Sequence, residues 1–92
     1  MYLEIVSPEA TLFSGEVTSV IVPGINGEFE MLENHAPIVS LLQEGNVKVA
    51  GSITIEEAYQ SKFSKDAKGR TILPISSGTL EMKDNKVIVL AD

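Results

Sequence analysis

Turn-forming residues interrupt this chain at intervals too short for most helices. Pro8-Glu9, Gly15, Pro23-Gly24, Asn34 to Pro37, Gln43 to Asn46, Gly51-Ser52, Ser76 to Gly78 and Asp84-Asn85 divide it into short segments. Proline lacks a backbone donor, and glycine, asparagine and aspartate tolerate positive φ, so these groups end strands and reverse the chain. The intervening segments alternate apolar with polar residues or carry β-branched runs, which suits strands of about five or six residues.

Read in order, strands are expected at Tyr2 to Ser7, Ala10 to Ser14, Glu16 to Val22, Ile38 to Leu42, Val47 to Ala50, Thr71 to Ile75, Thr79 to Lys83 and Lys86 to Leu90. Shorter ones are expected at Phe29 to Leu32 and Ile53 to Ile55. Gly15 reads as a turn, and Pro23-Gly24 as the end of the third strand. The last two strands form a hairpin closed by Asp84-Asn85. Residues 56–69 break the pattern: Ile55, Ala58, Tyr59 and Phe63 fall at helical spacing before a charged tail, and the segment reads as one or two helical turns or as an irregular loop, the loop being preferred. The expected fold is all-β, a small sandwich or flattened barrel of about eight to ten short antiparallel strands. With 92 residues the chain forms one domain spanning 1–92.

Composition narrows the function classes. The net charge is −6, with no cluster of lysine and arginine, which argues against binding nucleic acid or an anionic membrane surface and favours a polar or basic protein partner. There is no cysteine, so disulfides, thiolate nucleophiles and cysteine zinc sites are excluded. No apolar run approaches the roughly 20 residues of a membrane-spanning helix. Met1 is followed by Tyr2-Leu3-Glu4 rather than the basic and apolar regions of a signal peptide. A cytosolic protein able to dock on a membrane complex, without inserting in the bilayer, is expected.

The stretch from Gly24 to Pro37 is the most specified part of the chain. It holds Gly24 and Gly27, three glutamates, the only histidine and a proline. The glycines suit a tight reversal. Phe29, Met31 and Leu32 are expected to face inward, Glu28 and Glu30 outward. Ile25, Met31, Leu32 and Ile38 read as core residues, with a partner patch as the alternative.

Chemistry is sparse. Glu28, Glu30, Glu33 and His35 are the only residues that resemble a metal-ligating group, and a metal- or ligand-binding module built on them is one reading. The simpler one makes the acids solvated and has His35 pin the turn, with no metal and no cofactor bound. No serine stands in a nucleophile-elbow context, and the two glycines of the loop lack the lysine and helix of a phosphate loop. An enzyme is not expected.

Several motifs together resemble one family. Pro8-Glu9, Leu12-Phe13-Ser14-Gly15, Val22-Pro23-Gly24, Gly27-Glu28-Phe29, Leu32 and Asn34-His35-Ala36-Pro37 match the N-terminal β-sandwich domain of the epsilon subunit of F-type ATP synthases. Leu41, Leu42, Gly45, Gly78, Leu80-Glu81 and Asn85 to Asp92 continue the likeness. Glu30 and Glu33 depart from the family's glycine and proline, Ser77 and Thr79 from its glycine and phenylalanine, and residues 51–71 match little. The resemblance implies a non-catalytic central-stalk subunit that links the gamma subunit to the c-ring and couples proton-driven rotation to ATP synthesis. It places such a subunit on the cytoplasmic face of the bacterial inner membrane, as a peripheral part of the complex. It implies that Glu28, with Glu30 and Glu33, faces the c-ring loops, and that Ser7, His35 and Ser40 face gamma. The family's C-terminal helical hairpin is not among these 92 residues, so neither ATP binding nor hairpin-based inhibition of hydrolysis is expected of them.

Overall fold

The computed structural model describes residues 1–92. Ten strands follow one another: β1 (Tyr2–Val6), β2 (Thr11–Glu16), β3 (Ser19–Gly24), β4 (Gly27–Leu32), β5 (Ile38–Leu42), β6 (Gly45–Ala50), β7 (Ser64–Lys65), β8 (Thr71–Ile75), β9 (Gly78–Lys83) and β10 (Lys86–Ala91). A 3₁₀ segment spans Glu57–Lys62 between β6 and β7.

Hydrogen bonding groups the strands into two layers. One runs β2-β1-β10-β9-β5, the other β4-β3-β6-β8-β7, and the single pair Gly24–Leu42 joins them between β3 and β5. Leu3, Ile5, Leu80, Met82, Val87 and Val89 of the first layer meet Val20, Val22, Met31, Val47, Val49 and Leu73 of the second in one buried cluster. This is the expected all-β sandwich, with one difference: β1 and β10 pair in parallel, from Tyr2–Lys86 to Val6–Leu90, while every other pair is antiparallel. A parallel pair joins segments far apart in sequence, so no local turn announces it.

Three local expectations are corrected. Gly15 does not turn the chain. It lies within β2, paired with Leu3, where a Cβ would come 3.1 Å from the Phe13 ring. Pro23 does not end its strand either: β3 continues to Gly24. On one side β3 pairs with β6 at Ser19 to Ile21 and with β5 at Gly24, and Pro23 faces neither, so its missing donor removes no ladder bond. Residues 53–55 form no strand, and the following residues are not an open loop. Tyr59 N donates to the Glu56 carbonyl and Phe63 N to that of Gln60, and Ile53, Ile55, Tyr59 and Phe63 pack on the core. Ala58, expected on the same apolar stripe, is exposed. A 3₁₀ turn at three residues per turn aims Tyr59 inward and leaves Ala58 outside.

Candidate functional site

The β3–β4 hairpin is built by its glycines, each for a different reason. Gly27 has φ 120°. Gly24 keeps an ordinary φ, but a Cβ there would come 2.8 Å from both the Gly27 carbonyl and the Phe29 ring. Glycine is therefore needed at Gly27 for conformation and at Gly24 for close approach. Met31 is fully buried and Phe29 half-buried, while Glu28 and Glu30 face out, as alternation requires. Leu32 and Ile25, expected in the core, are on the surface at 55% and 52% exposure. Leu32 is on the outward parity of β4 with Glu28 and Glu30, and Ile25 is at the hairpin tip.

The acids around this hairpin do not converge. Glu28 lies near the tip and pairs with Lys48 at 3.1 Å. Glu30 is exposed opposite Ile21 and forms no ion pair. Glu33 lies beyond the other end of β4, roughly 17 Å from Glu28 by strand rise. Its carboxylate takes the α-ammonium of Met1 at 2.9 Å and the side-chain amide of Asn85. These contacts hold Glu33 below the usual carboxylate range, the ammonium contact first, and the bond to Glu33 raises the Met1 ammonium. His35 accordingly has no carboxylate shell. Its backbone N donates to the Leu32 carbonyl at 3.1 Å, and its Nδ1 lies 2.7 Å from the Ala36 carbonyl, which only accepts, so the contact calls for a proton on Nδ1. No three acidic or histidine side chains form a metal-ligating group, and the metal-module reading of Glu28, Glu30, Glu33 and His35 falls on that geometry.

Asn85 ties two distant turns together. Asp84 and Asn85 both have positive φ, 52° and 62°, the signature of a two-residue hairpin turn. The Asn85 Oδ1 accepts the backbone N–H of Asn34 at 2.8 Å, and its Nδ2 donates to Glu33. The segment leading to His35 and β5 is thereby fastened to the β9–β10 turn.

Ser7 and Ser40 lie on or beside the first layer. Ser7 closes the turn after β1, its N and Oγ both donating to the Ala10 carbonyl, and borders a cavity of about 430 Å³ with Glu9, Lys62 and Asp92. Ser40 is half-buried opposite buried Leu80 and donates to the Leu41 carbonyl at 3.0 Å. Its neighbours Val39 and Leu41 therefore point the other way, out of the layer. They are 77% and 59% exposed, and Leu90 on β10 is 49% exposed. Register sets them in two rows across the sheet, Leu41–Thr79–Leu90–Val6 and Val39–Glu81–Ile88–Glu4. This apolar face is the largest feature that reading the sequence missed. The available signal was the unbroken apolar run Val87 to Ala91: a strand in a one-core sandwich buries only one parity, so the other must be exposed.

The delta/epsilon-chain β-sandwich domain of ATP synthase matches residues 1–92. The chain belongs to that family. The epsilon chain of the ATP synthase from Chlorobaculum tepidum is 37% identical over 90 residues, covering 98% of this chain and 86% of the relative. That of Campylobacter curvus is 39% identical over 92 residues, and the chain spans 60% of that relative's length. A central-stalk and c-ring structure of the Tetrahymena thermophila mitochondrial ATP synthase superposes with a TM-score of 0.75 at 10% identity, over 99% of this chain and 62% of that one, a likeness of fold. No helix is long and apolar enough to cross a membrane. Within the delta/epsilon β-sandwich, the apolar face on the first layer and the acidic hairpin on the second are separate surfaces.

Proposed function

We propose that this chain works as the β-sandwich part of the central stalk, non-catalytic, holding the gamma subunit on one surface and the c-ring on another so that rotation of the ring reaches the stalk. The observation that carries it is the outward face of β5, β9 and β10, where Val39, Leu41, Ile88 and Leu90 form an apolar patch around the carboxylate of Glu81. Such a face in a chain of net charge −6 is the chemistry of a protein-docking surface. Ser7, His35 and Ser40 serve gamma in this reading from beside the patch, since Ser40 lies on the opposite parity of β5 from Val39 and Leu41 and Ser7 borders a different cavity. Glu28 and Glu30, on the other layer, serve polar or basic loops of the ring; Glu33 is engaged by Met1 and Asn85 and acts by fixing the end of the hairpin. The sandwich supplies stiffness and no chemistry, and residues 1–92 by themselves bind no ATP. The complex so formed is peripheral on the cytoplasmic face of the bacterial inner membrane.

Size-exclusion chromatography of this chain with its cognate gamma subunit tests the proposal. Co-elution as a one-to-one complex is the expected result, and its loss in Leu41→Asp locates the surface. Separate elution of the wild-type chain overturns the docking role.

A further inference from the structure

We propose that Glu81 is the specificity determinant of the apolar face, and that the partner surface covering it presents one arginine or lysine to this carboxylate. The inference rests on the docking role above and adds what the partner must carry.

Glu81 stands in the middle of β9, exposed, with Val39 beside it on one neighbouring strand and Ile88 on the other. Depressions of about 210 and 230 Å³ meet at it. The first is lined by Val39, Thr79, Ile88 and Leu90, the second by Pro37, Val39 and Lys83. Five of the thirteen acids have cations in reach, Glu4 with Lys86, Glu28 with Lys48, Asp66 with Arg70, and Glu16 and Glu33 with the Met1 ammonium; Glu81, like Glu30, is not among them, and it alone of the unpaired acids stands between Val39 and Ile88. Glu81 has no ion pair and no side-chain hydrogen bond. Lys86, across β10, is committed to Glu4 at 3.2 Å and lies over the Tyr2 ring. Lys83, two residues along the same face, does not reach within salt-bridge distance.

A partner that buries Val39, Ile88 and Leu90 must also bury Glu81. A purely apolar partner would strip water from the carboxylate and return nothing, which opposes binding. A guanidinium answers it best, because arginine is weakly hydrated, forks onto a carboxylate and rests on apolar neighbours. The same charge disfavours a second copy of this chain as occupant. A two-fold pairing of the face would bring Glu81 toward its own equivalent. Glu81 thus admits one kind of partner and rejects self-association through the same side chains.

The test is calorimetric binding of this chain to its cognate gamma subunit at low and high salt, for the wild type, Glu81→Gln, Glu81→Arg and Leu41→Asp. The exposure of Glu81 means that thermal melting of its variants stays near that of the wild type. Expected is a loss of affinity of at least about tenfold for Glu81→Gln and about a hundredfold for Glu81→Arg, with the salt dependence of binding flattened in Glu81→Gln. Restoration of the Glu81→Arg complex by an arginine-to-glutamate change on gamma would identify the opposing residue. If Leu41→Asp abolishes binding while Glu81→Gln binds within about twofold of the wild type and keeps its salt dependence, the face docks gamma but Glu81 is not its determinant. If the wild-type chain fails to bind, the docking role falls and this inference with it.

Discussion

Replacing Asn85 by glycine sets local turn chemistry against a long-range bridge, and the two predict opposite signs. Asp84 and Asn85 occupy both central positions of a turn with positive φ. Asp-Gly is among the best pairs for that geometry, so a glycine there should be neutral or slightly stabilising if only the turn mattered. The structure gives Asn85 a second task. Its Oδ1 holds the Asn34 N–H at 2.8 Å, and its Nδ2 holds the Glu33 carboxylate. A neutral hydrogen bond contributes about 0.5–1.5 kcal/mol. The bond to the Glu33 carboxylate, which is 56% exposed, is screened by water and is left out of the sum. Asn85→Gly should therefore destabilise by about 1 kcal/mol, with the extra freedom of glycine in the unfolded chain offsetting its ease at positive φ. Asn85→Ala loses the same bonds and adds about 1 kcal/mol for a left-handed alanine, about 2 kcal/mol in all. At roughly 4–8 °C per kcal/mol for a domain of this size, Tm falls by about 6 °C and 12 °C respectively. The assays are thermal unfolding by circular dichroism and amide exchange at Asn34, which should speed up in both variants. A glycine variant as stable as the wild type, with Asn34 exchange unchanged, would refute the bridge and leave Asn85 a turn residue only.

Other outcomes follow from single contacts. Thr71 is buried and its hydroxyl has no partner, so Thr71→Val should raise stability by about 1 kcal/mol, measured by urea unfolding. Gly24→Ala should destabilise by about 1–3 kcal/mol and disturb the Phe29 ring signals by NMR, because the new methyl meets the Gly27 carbonyl and that ring. The Met1–Glu33 pair makes stability depend on pH at both ends. The lowered Glu33 contributes above its unfolded value near 4.5 and is lost as pH falls through its folded one; the raised ammonium contributes below its unfolded value near 8.0 and is lost as pH rises through its folded one. The gap in Tm between the wild type and Glu33→Gln should therefore be widest between those two values and shrink outside them. A gap independent of pH would contradict the pair.

The sequence by itself determined the class of fold, nine of the ten strands (β7 excepted) and most of the turns. Period-two alternation in Phe29 to Met31 and positive-φ residues such as Gly27, Asp84 and Asn85 act over a few residues, so they are legible without knowing the partner strands. It also located the hairpin carrying Glu28 and Glu30 and kept those side chains outside. What only the tertiary structure decided depends on contacts between remote segments. The parallel pairing of β1 with β10 joins the two ends of the chain. The capture of Glu33 by Met1 and Asn85 spans 32 and 52 residues, and it removed the apparent metal group. In Ile38 to Leu42 and Val87 to Ala91 apolar residues fill both parities, so no pattern states which side is buried. The register against β9 puts Val89 and Leu42 inside and leaves Val39, Leu41 and Leu90 in water around Glu81, because one small core can bury only one face of each strand.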